Sequence, residues 1–208
     1  MRQYSKREAR TLLDIGCGGK NVFNLKRYFN VTGIDLSPDM LAQAKELNLE
    51  YAFVLGNMRV FKLNTTFDAV LIDDAISQMN TRADFEAAIR ASYSHLNPGG
   101  VMIVTPDVTI ENFQQNKTTT FSASRDGLDV VFIENVYDQD PTDEQYETTI
   151  IYLIRENGIL RIETDRWNMG LYTMEVWRQT LQETGFHAYE KKFCLGKDEY
   201  TTFVCVKS

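Results

Sequence analysis

The sequence has few of the residues that build metal sites and disulfide frameworks. Its 208 residues include two histidines and three cysteines, Cys17, Cys194 and Cys205. No two cysteines have the CxxC spacing that is typical of zinc and redox sites. The sequence therefore predicts reduced thiols and no metal site.

Long apolar segments are also missing. No apolar run approaches the roughly 20 residues that a membrane-spanning helix needs. The first ten residues are charged and lack the apolar core of a secretory signal. We therefore expect a cytoplasmic protein without a membrane partner.

An excess of positive charge is absent as well. Lysine and arginine number 22 against 29 aspartates and glutamates, so the net charge is −7, and no basic cluster compensates locally. Such a surface repels the phosphates of a nucleic acid. The sequence therefore predicts no nucleic-acid partner.

The first half of the chain alternates short β-rich runs with helical patterns, which predicts βαβ units and a parallel sheet. Ser37-Pro38 supplies an N-cap and a first-turn proline for one of the helices. Asn97-Pro98-Gly99-Gly100 is expected to end the last helix and turn into a strand. The predicted strands are 11–15, 31–36, 51–55, 67–72 and 101–105, and the predicted helices are 21–28, 38–47 and 81–96.

The second half is rich in β-forming runs without helices between them. Asp126-Gly127 and Asn157-Gly158 are strong signals for two-residue hairpins, so these runs should pair antiparallel. Thr173 and Gly185 are expected to begin and end a helix. The predicted strands are 118–124, 128–137, 148–155, 159–167, 187–194 and 201–207.

These patterns predict an α/β fold. We expect a doubly wound, Rossmann-like sheet that is mostly parallel with an antiparallel last strand. An antiparallel β meander at 107–168 is expected to be inserted into it. The sequence predicts that residues 1–208 form a single domain.

A glycine turn between the first strand and first helix is the most informative local feature. Gly16, Cys17 and Gly18 follow a buried strand, and such turns let backbone pass close to a ligand. Asp35 lies 21 residues beyond Asp14, where a nucleotide ribose would present its hydroxyls. A dinucleotide dehydrogenase would want glycine where Asn21 stands. The pattern favours a ligand without a pyrophosphate and disfavours a nucleotide-dependent oxidoreductase.

Five segments resemble, in order, the motifs of the class I S-adenosylmethionine-dependent methyltransferases. The resemblance extends over residues 11–105 and implies S-adenosyl-L-methionine as the cofactor. The segments are Asp14-Ile15-Gly16-Cys17-Gly18, Gly33-Ile34-Asp35-Leu36-Ser37-Pro38-Asp39-Met40-Leu41, Gly56-Asn57-Met58, Phe67-Asp68-Ala69-Val70 and Leu96-Asn97-Pro98-Gly99-Gly100.

The resemblance also implies roles for individual residues. Gly16 and Gly18 would approach the methionine part of the cofactor, Asp35 would bind the ribose, and Asn57 with Met58 would face adenine. The full implied set of cofactor-binding residues is Asp14, Gly16, Cys17, Gly18, Asp35, Leu36, Met40, Asn57, Met58 and Asp73.

Two positions depart from the family pattern. Lys20 stands where members usually carry another glycine, which predicts a shortened or displaced loop. Asn57 stands where aspartate is common. Its amide oxygen can still accept a hydrogen bond from the adenine amino group, but without a negative charge. We expect weaker cofactor binding.

Later segments resemble a small-molecule branch of the family, the N,N-dimethyltransferases of nucleotide-linked amino sugars. The branch carries a His or Tyr after strand four, where this chain has Gln78, so we expect a different acceptor chemistry. It also covers its site with an N-terminal helical segment. Because 13 residues precede Asp14, we expect this cover to be largely missing. The segments are Thr105-Pro106-Asp107, Glu111-Asn112-Phe113 and Leu171-Tyr172-Thr173.

The candidate catalytic residues are Asp73, Asp74 and Gln78, all at the tip of the fourth strand. A carboxylate there could hold an ammonium group and take its proton, although both aspartates could instead be solvated helix caps. Since consecutive side chains on a strand point to opposite faces, we expect one of the two to reach the site, and Asp74 is preferred.

Other polar and aromatic residues have more ordinary interpretations. His95 is expected to hydrogen-bond the end of a helix, and His187 to be structural. Trp167, Tyr172 and Tyr137 could line an acceptor pocket, but aromatic residues of this kind more often belong to a core or an interface.

The sequence therefore predicts an S-adenosylmethionine-dependent methyltransferase with a small-molecule acceptor, favouring an amine and hence N-methylation. Its alternatives are a non-catalytic cofactor-binding or interaction protein with this fold, and an O-methyltransferase. The inserted meander should form either one wall of the acceptor pocket or a homodimer interface, because an added sheet leaves edges and an apolar face to cover.

Overall fold

Two β-sheets and four α-helices make up the computed structural model. It describes residues 1, 3–5, 8–18, 21–195 and 198–208, and the side chains of 21, 194, 195, 198 and 199 lie outside the description. The larger sheet has seven strands, and the smaller sheet has four. Lys20 and the side chain of Cys194 therefore fall outside the described part of the chain.

Five parallel strands form the centre and one edge of the larger sheet. The side chains of the first and fourth of these strands are buried on both faces, as expected of the centre of a parallel sheet covered by helices. The first strand pairs with the second on one side and with the fourth on the other. The strands are β1 (Thr11–Ile15), β2 (Asn30–Asp35), β3 (Ala52–Leu55), β4 (Phe67–Ile72) and β5 (Leu96–Val104).

The helices begin and end largely where the sequence predicts. The side chains of Ser37, Thr81 and Thr173 each accept a hydrogen bond from a backbone N–H of the first turn. Gly185 ends the last helix with φ 101°, a left-handed conformation that glycine adopts without steric cost. The helices are α1 (Asn21–Leu25), α2 (Pro38–Leu47), α3 (Arg82–Ser94) and α4 (Met174–Thr184).

Several predicted boundaries are wrong by two to five residues, and two of them lie beside strands of the larger sheet. The first helix ends at Leu25, because the chain turns there and the Asn30 N–H donates to the Arg10 carbonyl at 2.8 Å as β2 begins. The fifth strand begins at Leu96 rather than at 101. Phe67 pairs with Leu96, so the Asn97–Gly100 turn segment lies within the ladder as an irregularity.

Antiparallel strands complete the larger sheet. β10 (Phe186–Leu195) and β11 (Asp198–Lys207) form a hairpin, and β11 pairs antiparallel with β5. The strand order is β10-β11-β5-β4-β1-β2-β3. The predicted fold class, a mostly parallel Rossmann-like sheet with an antiparallel last strand, is confirmed.

The smaller sheet is an antiparallel meander between β5 and α4. Both predicted hairpin turns are present, with φ between 50° and 85° at Asp126, Gly127, Asn157 and Gly158. Positive φ at two successive residues is what a two-residue hairpin of this kind requires. The strands are β6 (Lys117–Arg125), β7 (Leu128–Tyr137), β8 (Gln145–Glu156) and β9 (Ile159–Gly170).

An aromatic cluster joins α3 and α4 to the larger sheet. Phe85 is fully buried and packs against Tyr172 and Trp177, with ring centroids 4.9 and 4.6 Å away. Trp177 in turn stacks on Phe203 of β11. This packing holds the segment after the meander against the sheet and so fixes the base of the smaller sheet. In the described part of the chain, no helix is long and apolar enough to cross a membrane.

Candidate active site

A large cavity opens at the carboxyl ends of β1, β2, β4 and β5. Its volume is about 1070 Å³, slightly above the usual range for small-molecule sites of about 300–1,000 Å³. Residues of the larger sheet and of the smaller sheet both line it. Open α/β sheets bind ligands at this edge, because the helix N-termini and loops converge there. The volume is sufficient for a cofactor together with a second small molecule.

The glycine turn after β1 forms part of the cavity wall. Gly16 and Gly18 have φ of 70° and 48°, which side-chain-bearing residues rarely adopt. A Cβ on Gly16 would overlap the Cβ of Ala75. The backbone N–H groups of Gly16 and Cys17 both donate to the Ile34 carbonyl, at 2.8 and 3.1 Å. The turn is therefore anchored to β2 and leaves room for a ligand beside it.

Asp35 lines the cavity at the end of β2, and backbone hydrogen bonds fix its carboxylate. One oxygen accepts from the Gly18 N–H and the other from the Ser37 N–H, both at 2.9 Å. A carboxylate oxygen can accept more than one hydrogen bond, so both retain capacity for ligand hydroxyls. The neighbouring Leu36 and Met40 also line the cavity.

Asp14 lies on β1 beneath the cavity wall rather than among its lining residues. Its side chain is fully buried, and neither carboxylate oxygen has a hydrogen-bond partner in the structure. Burial, together with the charges of Asp73 and Asp35, raises its pKa to about 7. A buried carboxylate without a partner is destabilising, so a cationic or hydrogen-bond-donating ligand nearby would relieve it.

Asn57 and Met58 line the cavity after β3, and a neighbouring arginine orients Asn57. The Asn57 Oδ1 accepts from the backbone N–H and the Nε of Arg59, both at 3.0 Å. The Arg59 Nη1 also donates to Asp84 at 2.8 Å. An adenine amino group would therefore have to compete for the Asn57 oxygen. That the oxygen accepts from adenine stays a prediction.

Both Asp73 and Asp74 line the cavity, and which of the two side chains reaches the acceptor stays a prediction. β4 ends at Ile72, and the chain then forms a γ-turn centred on Asp74, with φ 54° and ψ −44°. The Ala75 N–H donates to the Asp73 carbonyl at 2.5 Å. Strained backbone of this kind is concentrated at functional sites. Gln78 lies in the short 3-10 turn that follows and also lines the cavity.

Asp107 is a cavity residue to which the sequence analysis gave no role. It follows β5, and its carboxyl group lies within hydrogen-bonding reach of the carboxyl group of Asp74. Burial, followed by the negative charge of Asp74, raises the pKa of Asp107 well above its ordinary value. β4 and β5 pair in parallel, so their carboxyl ends lie together. This pairing is the signal from which Asp107 could have been predicted as a neighbour of Asp74.

The smaller sheet forms the opposite wall of the cavity. Val136, Thr148 and Trp167 are paired across β7, β8 and β9 and therefore share one face of that sheet. Trp167 was a pocket candidate, whereas the other wall residues were missed because a sequence does not orient one sheet against another. The wall consists of Glu134, Val136, Tyr146, Thr148, Trp167 and Met169. We call the part of the cavity lined by Asp73, Asp74, Asp107 and Glu134 the carboxylate chamber.

Several candidates lie away from the cavity. His95 is buried, with Nδ1 bonded to the Ala91 carbonyl and Nε2 accepting from the Leu63 N–H, which confirms its place at the end of a helix. The Tyr172 hydroxyl donates to the Met79 carbonyl at 2.5 Å within the core. Tyr137 and His187 are exposed outside the cavity. In the described part of the chain, no three His, Cys, Asp or Glu residues form a metal-binding group.

Comparisons with known proteins agree with this geometry. A protein-family profile described as a methyltransferase domain matches residues 12–100, which include the glycine turn and Asp35. A solved amino pentose methyltransferase from Micromonospora echinaspora, with S-adenosylmethionine bound, is 26% identical and superposes with a TM-score of 0.87. The similarity covers 100% of this chain and 86% of that one. Residues 12–100 therefore belong to a methyltransferase domain, and the chain has the fold of an S-adenosylmethionine-dependent methyltransferase.

Two relatives show the branch to which this methyltransferase is similar. An N,N-dimethyltransferase of dTDP-3-amino-3,4,6-trideoxy-alpha-D-glucopyranose from Streptomyces venezuelae is 32% identical over 131 residues. A second, acting on dTDP-3-amino-3,6-dideoxy-alpha-D-glucopyranose in Streptomyces fradiae, is 28% identical over 190 residues. The first match covers 62% of this chain and 55% of the relative, and the second covers 89% and 72%.

The residues of this methyltransferase fit the family's cofactor. S-adenosylmethionine carries two cationic groups, a sulfonium and an ammonium, and the structure provides buried Asp14 oxygens that lack partners. A Cβ on Gly18 would meet only the Met40 side chain, at 3.9 Å, so the turn leaves space there, and Asp35 is fixed at the end of β2. The family and the cofactor predicted from sequence are confirmed.

Proposed function

We propose that the protein transfers a methyl group from S-adenosylmethionine to a small-molecule amine. The observation that carries this proposal is the carboxylate chamber beside the glycine turn. Several carboxylates facing one cavity favour a cationic guest, because each is attracted to positive charge and repelled by its neighbours. An alcohol acceptor has no charge that would exploit this arrangement. The relatives' names, which describe amine methylation, support the same choice.

We infer that the cofactor lies along the glycine turn and the end of β2. Asp35 would bind its ribose, Gly16 and Gly18 would lie against its methionine part, and buried Asp14 would face a cationic group. When bound, the cofactor supplies the methyl group as an electrophile on a positively charged sulfur. The remaining residues assigned to its binding are Cys17, Leu36, Met40, Asn57, Met58 and Asp73.

The hydrogen-bonded pair Asp74–Asp107 is suited to the proton step. An ammonium ion has no lone pair, so the amine must lose a proton before its nitrogen can attack the methyl group. Burial raises the pKa of Asp107 to about 8, so Asp107 holds a proton near neutral pH, and the carboxylate beside it would attract the ammonium group. When the amine releases its proton, the pair becomes neutral, a state that burial favours. The proton then passes to solvent, and the neutral amine nitrogen would bond to the methyl carbon as the carbon–sulfur bond breaks, its electron pair returning to sulfur and leaving S-adenosylhomocysteine.

The acceptor class is tested with a panel of small amines and matched alcohols, measuring formation of S-adenosylhomocysteine. We expect amines to be methylated and alcohols not. Asp74→Asn and Asp107→Asn should each lower kcat/KM at least about tenfold, since one good charge-assisted hydrogen bond contributes about 1.5–3 kcal/mol. The affinity for S-adenosylmethionine, measured by calorimetry, should change little.

A matched control is Asp126→Asn, at an exposed hairpin turn outside the cavity. Asparagine tolerates the positive φ at that position, so this variant should retain full activity. Methylation of alcohols but not amines would contradict the proposal. So would unchanged turnover in Asp73→Asn, Asp74→Asn and Asp107→Asn, and the aspartates would then be ordinary turn residues.

A further inference from the structure

The substrates of the two relatives share a diphosphate group, and the charges that line the cavity of this chain decide whether it could bind one. Each of the two Streptomyces relatives is named for a dTDP-linked amino sugar. A dTDP group carries a diphosphate with at least two negative charges. Proteins bind diphosphates with Arg and Lys side chains, helix N-termini or backbone N–H groups, each of which brings positive charge to the phosphate oxygens.

The cavity of this chain is lined mainly with negative charge, which repels a diphosphate. Five carboxylates line it, at Asp35, Asp73, Asp74, Asp107 and Glu134. Among the lining residues that the structure describes, Arg59 alone has a positively charged side chain. Its Nη1 donates to Asp84 and its Nε to Asn57, at 2.8 and 3.0 Å. Arg59 is therefore committed to its neighbours and does not offset the carboxylates.

Two arginines near the cavity are also held by carboxylates. Arg82, at the start of α3, bonds to Glu144 at 3.0 Å. Arg166 bonds to Glu147 at 2.8 Å, and it precedes the cavity residue Trp167 on β9. Since side chains alternate along a strand, Arg166 points to the face of the smaller sheet opposite the cavity. Neither side chain faces the carboxylate chamber.

Polar and aromatic groups complete the chamber without adding positive charge. Tyr146, Thr148 and Trp167 supply hydroxyl groups and ring surface suited to the body of a small polar amine. Glu134 is half-buried on β7 beside them. A diphosphate in this space would meet carboxylates in a partly desolvated setting, where like charges repel strongly.

We propose that the acceptor is a small free amine that carries no phosphate group, such as an amino sugar without a nucleotide. This inference rests on the proposed function and narrows its substrate class. On this inference, the negative charge of the carboxylate chamber gives the protein a different acceptor from the relatives named above. The cofactor chemistry would be shared, and the difference would lie in what is attached to the acceptor amine.

The direct test compares a free 3-amino sugar with its dTDP-linked counterpart as methyl acceptors. We expect kcat/KM to be at least tenfold higher for the free amine. In a second arm, dTDP is titrated by calorimetry into the protein loaded with S-adenosylhomocysteine. We expect no binding tighter than about 1 mM. Glu134→Lys should strengthen dTDP binding at least tenfold, whereas Asp126→Lys, at the exposed hairpin, should not.

The outcomes separate this inference from the proposed function. A higher kcat/KM for the dTDP-linked amine, or tight binding of dTDP by the wild-type protein, would overturn the inference while leaving amine methylation intact. If no amine were methylated and dTDP still failed to bind, the proposed function would be wrong and the exclusion of diphosphates from the cavity would be supported.

Discussion

Single residues show how binding chemistry and stability oppose each other in this protein. Asp14 is fully buried without a hydrogen-bond partner, and burial, followed by the negative charge of Asp74, raises the pKa of Asp107. Groups in such positions are destabilising in the ligand-free protein and are retained where a ligand uses them. Asp35 differs, because two backbone N–H groups already stabilise its charge.

Replacing Asp14 by asparagine should stabilise the cofactor-free protein above neutral pH. The pKa of Asp14 is about 7 in the folded state, above its ordinary value, so the folded state binds the extra proton. Its ionisation therefore lowers stability as pH rises from about 4 to 7. We expect Asp14→Asn to raise the free energy of unfolding by about 2–4 kcal/mol at pH 8 and by less at pH 5.

Urea denaturation of both proteins at pH 5 and pH 8, without cofactor, measures this effect. The same variant should bind S-adenosylmethionine more weakly, because it has lost a buried negative charge. An identical pH dependence of stability in the two proteins would show that Asp14 does not ionise with a raised pKa.

Asp35→Ala should weaken the binding of S-adenosylmethionine sharply and leave the fold intact. Two charge-assisted hydrogen bonds to the ribose, at about 1.5–3 kcal/mol each, imply at least a tenfold loss of affinity. Asp39→Ala, on the exposed first turn of α2, is the matched control. Calorimetric titration decides the point, and equal affinities in wild type and Asp35→Ala would remove Asp35 from the site.

At the scale of elements, one close contact sets the distance between the smaller sheet and the short 3-10 turn that follows β4. Gly170 ends β9, and a Cβ there would overlap the Met79 carbonyl oxygen. Met79 directly follows the turn that contains Gln78. The contact therefore places Trp167 and Met169 opposite the carboxylates after β4.

Gly170→Ala should displace the smaller sheet and enlarge the chamber. We expect the KM for the acceptor to rise at least about threefold, because the wall residues no longer contact it, while the affinity for S-adenosylmethionine stays within about twofold. Gly158→Ala is the control, since its Cβ would lie in open space. That variant should lose about 1 kcal/mol of stability from its positive φ and keep a normal KM.

Steady-state kinetics with calorimetry distinguishes the two glycine variants. An unchanged acceptor KM in Gly170→Ala would mean that the wall does not contact the acceptor. An equal rise in KM in Gly158→Ala would mean that the effect comes from general strain in the meander.

At the scale of the whole molecule, the smaller sheet leaves apolar side chains exposed. Leu160 and Ile162 on β9 are 45% and 59% exposed and, two residues apart on one strand, share the face of the smaller sheet opposite the cavity. Exposed apolar groups on a sheet with open edges favour association with another chain. The homodimer through this sheet, the single-domain organisation and the cytoplasmic location all stay predictions.

Light scattering during size-exclusion chromatography tests the homodimer. We expect a mass twice the 23.9 kDa of the chain, and a shift to the monomer in Leu160→Asp or Ile162→Asp. Removing buried apolar contacts and adding charge at an interface weakens association. A monomeric wild-type protein at micromolar concentration would exclude this interface, and cofactor binding by both variants would show that they remain folded.

Local chemistry explains why much of the fold could be predicted. Positive φ at Asn157 and Gly158, the hydroxyl cap at Thr173 and the left-handed Gly185 each depend on a few consecutive residues. The cofactor part of the site is equally local, because the glycine turn and Asp35 lie at the ends of adjacent strands. The sequence by itself therefore determined the family, the cofactor and most element boundaries.

The tertiary structure decided the acceptor part of the site. Asp107 meets Asp74 because β4 and β5 pair in parallel, and Glu134 reaches the chamber because the smaller sheet folds back over it. Asp73 and Asp74 both face the cavity because a γ-turn ends the strand alternation. These positions depend on contacts between segments far apart in the chain, such as Gly170 against Met79, and packing rather than local conformational preference fixes such contacts.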